Sequence, residues 1–188
     1  MSVLPIAQVG DPVLREPAPE VGPEELSSPE VQRLIDDLIE TRRAAGGAGL
    51  AANQVSALAR IAVVEVDDAA RRRYPYKPPF PLTVIVNPVI EPLSGKKLLI
   101  NEGCLSVPGL RGDVPRFTRI RVDYLDRHGE RVSAEVEGLT AGTFQHEVDH
   151  LDGVLFLDRV EDPRTFSTWE QFERHHQAAF LERIRSYT

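Results

Sequence analysis

The stretch Arg119-Ile-Arg-Val-Asp-Tyr-Leu-Asp-Arg-His-Gly-Glu-Arg-Val-Ser-Ala-Glu-Val-Glu137 decides the fold class. Its apolar residues alternate: Ile120, Val122 and Tyr124 precede Asp126-Arg-His-Gly129, and Val132, Ala134 and Val136 follow it. Period two marks strands with one covered face, and a short Gly-containing connection between two of them marks a hairpin. Upstream, Ile61–Val66, Leu82–Asn87 and Lys96–Asn101 read as further strands. A block of strands set between helical segments predicts an α+β fold with antiparallel sheets, not βαβ units. The sheets should pack around a central helix over residues 140–152, with an N-terminal helix and a C-terminal helix outside them.

The N-terminal helix should start after Ser28 as N-cap, with Pro29 in the first helical position, where its missing N–H costs nothing. Val31, Leu34, Ile35, Leu38 and Ile39 form its buried stripe, and Gly46-Gly47 end it. For the central helix Thr140 is the expected N-cap, Leu139 and Phe144 have hydrophobic-staple spacing, and Phe144, Val148 and Leu151 face the core. Gly153 should close it. The last helix is expected from Ser167, where Ser167-x-x-Glu170 reads as a capping box, with Trp169, Phe172, Ala179, Phe180 and Ile184 on its apolar face. The chain has 15 prolines. They cluster in an N-terminal arm (Pro5 to Pro29), in Tyr74-Pro-Tyr-Lys-Pro-Pro-Phe-Pro81, and in a Gly-rich bend between Pro108 and Pro115. The second cluster predicts a surface loop.

With 188 residues, 41% hydrophobic and 27% charged, the chain fits one domain over 1–188, with 160–188 as a helical extension. The net charge of −7 and the lack of a basic stripe argue against direct nucleic-acid binding. No run is long and apolar enough for a membrane span, and the N-terminus has no signal-peptide pattern, so no membrane association is expected. The single cysteine, Cys104, excludes an internal disulfide. By itself it is a buried apolar residue, a metal ligand or a nucleophile.

On the central helix lies Gln145-His146-Glu147-Val148-Asp149-His150, an HExxH motif. Residues four apart stack on one helix face, so His146 and His150 can share one metal ion, with Glu147 beside its open side as a base. A catalytic site of this kind needs three protein ligands and keeps a place for water. Glu102, Asp149, Arg111, Arg116 and Gln145 are the candidates to orient the ligands, since metal-bound histidines usually donate their second N–H. His128, His175 and His176 lack ligand spacing and read as surface residues.

Two more motifs precede this one: Gly47-Ala-Gly-Leu-Ala-Ala-Asn-Gln54 and Glu102-Gly-Cys-Leu-Ser106. In this order, GxGLAAxQ, EGCLS and QHExDH make the chain resemble the peptide deformylase family. Gly10-Asp-Pro-Val-Leu-Arg15, Asn87-Pro88, Val107-Pro-Gly-Leu-Arg-Gly112 and Leu151-Asp-Gly-Val-Leu-Phe156 extend the resemblance over roughly residues 6 to 160.

The resemblance implies that Cys104 joins His146 and His150 on one divalent ion, Fe(II) in the cell, with Zn, Ni or Co possible in isolated protein. It makes Glu147 the general base, and gives the Gln54 amide and the Leu105 N–H the oxyanion. It assigns the peptide to Ala48, Gly49, Gly103 and Arg111, with the Gly49 carbonyl accepting the formyl N–H and the Ala48 N–H meeting the next carbonyl. The expected activity is hydrolysis of the formyl group from N-formylmethionyl peptides of nascent proteins, in a bacterial cytoplasm, with possible transient ribosome contact. A processed organellar chain would look similar. Two departures stand out: Ala48 and Gly142 occupy positions where the family often has bulky residues, and Gly142 is expected to widen the pocket beside the metal. A general HExxH metallopeptidase would not need EGCLS or GxGLAAxQ. A non-catalytic metal-stabilised binding protein would need a fourth protein ligand or would lack the base.

Overall fold

The computed structural model describes residues 2–187, so of the domain expected over 1–188 only the two end residues lie outside it. After a short helix α1 (Pro23–Leu26), helix α2 runs over Pro29–Ala45. Both expected signals set its ends. The Ser28 side chain accepts the Val31 N–H at 3.2 Å, and Gly46 stops the helix at φ 63°, a left-handed conformation that glycine adopts without strain.

Eight strands follow in two sheets. Strands β1 (Gly49–Ala51), β2 (Ile61–Val66), β3 (Phe80–Pro92), β6 (Arg119–Leu125) and β7 (Arg131–Glu137) form a five-stranded antiparallel sheet in the order β1-β2-β3-β6-β7. Strands β4 (Lys97–Cys104), β5 (Val107–Phe117) and β8 (Ser167–Thr168) form a second, three-stranded antiparallel sheet. The β6–β7 hairpin has the register its alternation demands, with Ile120 opposite Val136 and Val122 opposite Ala134.

Helix α4 (Gly138–Leu151) lies between the sheets and touches strands of both. Strand β2 explains the layering. Ile61 and Val63 pack with Ile35 and Leu38 of α2, whereas Ala62 and Val64 pack with Ala141, Phe144 and Leu151 of α4. Period two sends alternate residues to opposite faces, so β2 joins two hydrophobic layers and is buried throughout. Full burial of each Ile or Val stabilises by about 1.5–3 kcal/mol.

Several local expectations shift. Helix α4 starts at Gly138, with Glu137 as N-cap, instead of after Thr140. Leu139 and Phe144 are both buried, but inside the helix, so they do not staple its entry, and Gly142 sits in the second turn. The Gly-rich bend is strand β5, whose prolines are tolerated because its outer edge pairs with β8 only at Leu110 and Arg111. Ser167 belongs to β8, and the capping oxygen is that of Thr168, which accepts the Gln171 N–H at 3.3 Å. The last helix is divided at His176 into α6 (Trp169–His175) and α7 (Gln177–Ile184). Together they place Phe172, Phe180 and Ile184 on Leu98, Ile100 and Leu139, while Ala179 is exposed. Two short helices, α3 (Asp68–Arg73) and α5 (Phe156–Arg159), complete the chain. Among the described residues no helix is long and apolar enough to cross a membrane.

Candidate metal centre

Helix α4 brings His146 and His150 onto one face, with ring centroids 5.0 Å apart. Cys104 arrives at the end of β4, where the ladder with β5 slips between Gly103 and Cys104. One ligand atom from each of Cys104, His146 and His150 lies within 4.8 Å of the others, and among the described residues this is the one cluster of three or more His, Cys, Asp or Glu able to hold an ion. Cys104 Sγ is 3.2 Å from His150 Nε2 and accepts the Ser106 N–H at 3.3 Å. The Asn53 side chain donates to the His150 carbonyl at 2.5 Å and holds the end of α4.

The orienting partners are visible. His146 Nδ1 donates to Glu102 Oε2 at 2.8 Å, which leaves Nε2 as the free ligand atom. Glu102 also accepts Arg116 Nε at 2.7 Å and Nη2 at 3.0 Å, and Arg116 Nη1 reaches Asp149 at 2.6 Å. Arg159 closes the chain from the surface, 2.8 Å from Asp149. Gln145 instead locks β5 to α4, accepting the Phe117 N–H at 3.0 Å and donating to the Phe117 and Ala141 carbonyls.

The electrostatics suit a cation. Burial alone would push the Cys104 thiol up, but the His150 and His146 imidazoles beside it hold it well below its usual range. Burial likewise opposes charge on Glu102, yet the Arg116 guanidinium and the His146 hydrogen bond keep it ionised. A buried thiolate with two imidazoles is the donor set that divalent transition ions prefer, and three ligands leave room for water. The residues therefore fit a metal.

Glu147 faces the same space. It is 3% exposed, its Oε2 has no hydrogen-bond partner, and burial raises its pKa. Its neighbour is Gly49, on the free edge of the five-stranded sheet. A Cβ at Gly49 would overlap the Glu147 carboxylate, so only glycine lets the strand pass this close. The Ala48 carbonyl accepts the Glu65 N–H at 3.0 Å and is thereby committed to β2.

Gln54 is fixed at both ends of its amide: Oε1 accepts the Ala51 N–H at 2.9 Å, and Nε2 donates to Ser106 Oγ at 3.0 Å, 3.5 Å from Cys104 Sγ. Ala48, Gly49, Gln54, Gly103, Leu105 and Arg111 all line one cavity with Cys104, His146 and Glu147. Every expected site residue except His150 thus borders that cavity, and His150 reaches the cluster from behind it. Arg111 already donates to Asn101 and to the Tyr76 hydroxyl, and its guanidinium stacks 3.8 Å from the Trp169 ring.

Sequence reasoning missed one wall. Residues 74–81 were expected as a surface loop, yet Tyr74 is 8% exposed, and Tyr74, Tyr76 and Lys77 line the cavity. Paired tyrosines among prolines were the available signal, since solvated loops rarely need aromatics. Gly142 lines the pocket and packs against Ile100. A Cβ there would lie 2.5 Å from Ile100 Cδ1, so a larger residue would require the isoleucine to move.

The family model for polypeptide deformylase matches residues 3–166. Peptide deformylase 2 of Ralstonia nicotianae is 42% identical, over 93% of this chain and 98% of its own. Peptide deformylase 1A of Arabidopsis thaliana, a chloroplastic and mitochondrial protein, is 42% identical over 89% of this chain and 65% of its own. The Met-Ala-Ser-bound class I type b peptide deformylase of Acinetobacter baumannii superimposes with a TM-score of 0.79 at 39% identity, covering 85% of this chain and 99% of its own.

Proposed function

The chain belongs to the polypeptide deformylase family and is an enzyme that removes the N-formyl group from nascent peptides, and from that premise we propose how its own residues do so. The reading rests on one observation: the unpartnered Glu147 carboxylate shares a buried cavity with a Cys104, His146 and His150 cluster.

Cys104 Sγ and one ring nitrogen each of His146 and His150 would hold one divalent ion. When bound, that ion supplies Lewis-acid polarisation of water and of the formyl carbonyl. Glu147 takes a proton from the attacking water as the new C–O bond forms at the formyl carbon. It then returns that proton to the amine nitrogen as the C–N bond breaks, releasing formate and a free N-terminus. The Gln54 amide and the Leu105 N–H stabilise the tetrahedral oxyanion. The peptide lies along the open edge of β1 as an added strand, the Gly49 carbonyl accepting the formyl N–H and the Ala48 N–H meeting the next carbonyl. Gly103 and Arg111 bound the opposite side. The side chain of the first residue enters the cavity beside Ile100, Leu139 and Gly142, whose apolar walls suit unbranched methionine.

The family is metal-dependent. The finer assignment is Fe(II) in the cell, with Zn, Ni or Co accepted in isolated protein, because soft sulfur with two nitrogens suits each of them. A bacterial cytoplasm as the place of action, transient ribosome contact, and one catalytic domain with 160–188 as its helical extension belong to the same proposal. Glu147→Gln is the test. It should keep its metal, measured by elemental analysis, and lose roughly 10²–10⁴-fold in formate release from formyl-Met-Ala-Ser. Undiminished turnover would refute the base.

A further inference from the structure

Lys77 has no role in the reaction as described, yet it lines the cavity. Its Nζ donates to Thr143 Oγ1 at 2.6 Å, and the Thr143 hydroxyl in turn donates to the Leu139 carbonyl at 3.1 Å. An ammonium has three N–H donors. Among the described residues Thr143 is the one acceptor within hydrogen-bond distance of it, and the nearest ring, Tyr74, is 5.7 Å away at its centroid. Two donors therefore have no partner among the described residues. Thr143 lies one helical turn before Glu147 on α4, and Thr143 and Lys77 border the same cavity as Leu139 and Gly142, beside the slot assigned to the first side chain. Burial lowers the ammonium's pKa to about 8, with Glu102 and Glu147 favouring the charge and Arg111 and Arg116 opposing it.

A thioether is a weak acceptor and gives such donors little to hold. Oxidation turns methionine into its sulfoxide, a side chain of nearly the same length whose sulfur carries a strong acceptor oxygen beside the terminal methyl. We propose that Lys77 and Thr143 are specificity-determining residues that let this enzyme deformylate peptides beginning with N-formylmethionine sulfoxide as well as N-formylmethionine. The formyl group is hydrolysed as before and the sulfoxide leaves unchanged. A purely apolar slot would reject the sulfoxide, because burying an unpaired polar group is costly.

The inference rests on the deformylase reading, and formate release from formyl-Met-Ala-Ser by the metal-loaded full chain separates the two. No formate from that peptide overturns the activity itself. Given that activity, kcat/KM for the methionine sulfoxide peptide should lie within about thirtyfold of the thioether peptide, the scale of one buried polar contact. A larger drop overturns the inference. In Lys77→Met, close to isosteric, the ratio of sulfoxide to thioether kcat/KM should fall at least tenfold, and an unchanged ratio also overturns it. Should that variant not fold, binding of the product peptides Met-Ala-Ser and Met(sulfoxide)-Ala-Ser to the wild-type chain decides, with thirtyfold or more weaker binding of the sulfoxide counting against the inference.

Discussion

Arg42 and Arg116 are both buried, and each faces two carboxylates, but their hydrogen-bond chains lead to different places. Arg42, on α2, pairs with Glu65 and with Asp67 at 2.8 Å, and donates to the Gly47 carbonyl at 2.8 Å. Glu65 is then held by Arg43, which is half exposed, so the chain ends in solvent. Arg116 pairs with Glu102 and Asp149, and Glu102 passes the contact on to His146, so this chain ends on a proposed metal ligand. A buried ion pair is weak evidence for stability or function by itself. What distinguishes these two is the atom at the end of the chain.

The largest effects should come from removing either arginine. Arg42→Met removes the buried cation between Glu65 and the partly exposed Asp67, and Arg116→Met the one between buried Glu102 and Asp149, so each should cost about 3–5 kcal/mol in urea denaturation. Metal affinity should separate them. Arg116→Met frees Glu102 and should weaken metal binding roughly 10–100-fold, whereas Arg42→Met should leave it unchanged in the protein that remains folded. Equal losses of affinity in competitive chelator titrations would erase the distinction between the networks.

Glu102→Gln sharpens the same contrast with a smaller perturbation. It keeps the size of the side chain but removes the charge that holds His146 Nδ1–H. The expected loss of metal affinity is about 10–100-fold, or about 1.4–2.7 kcal/mol. Glu65→Gln makes the same chemical change in the other network and should leave metal affinity intact.

The two networks were unequally legible. Glu102 lies inside a recognisable motif, and Asp149 and Arg116 could be named as orienting candidates, but the His146–Glu102 pairing depends on β4 and α4 meeting across 44 residues. No local period encodes such a contact. Helix α2 was readable to its ends because capping is chemistry between near neighbours, Ser28 with Val31 and Gly46 with the last turn. The β6–β7 hairpin was readable because alternation and turn lie in one stretch. Strand β5 was hidden by Pro108 and Pro115, whose tolerance there is set by what does not pair with its outer edge. The Arg42 network went unread altogether, since an arginine at the end of an amphipathic helix looks like one that favours the helix dipole. The part of the cavity lined by Lys77 was masked in the same way by a proline-rich loop that tertiary packing folds inward.

The smallest effect tests the structural network by acid. The Arg42 guanidinium, hydrogen-bonded to Asp67, lowers the Asp67 pKa from 3.8 to about 2. A carboxylate whose folded pKa is depressed contributes stability that is complete above its unfolded pKa and is lost as pH falls toward the folded one. A shift of this size corresponds to about 2.4 kcal/mol, but the side chain keeps 29% of its surface exposed, so screening by solvent reduces it to about 1 kcal/mol. Metal-free protein should be used, because the ligand set also takes up protons in acid. Asp67→Asn cannot titrate, so its stability deficit against the wild type should be present at pH 6 and shrink by about 1 kcal/mol between pH 4 and pH 2. A deficit that stayed constant on acidification would mean that Asp67 is held by its Ala70 N-cap contact and not by its charge on Arg42, and the Arg42 network would then rest on Glu65 alone.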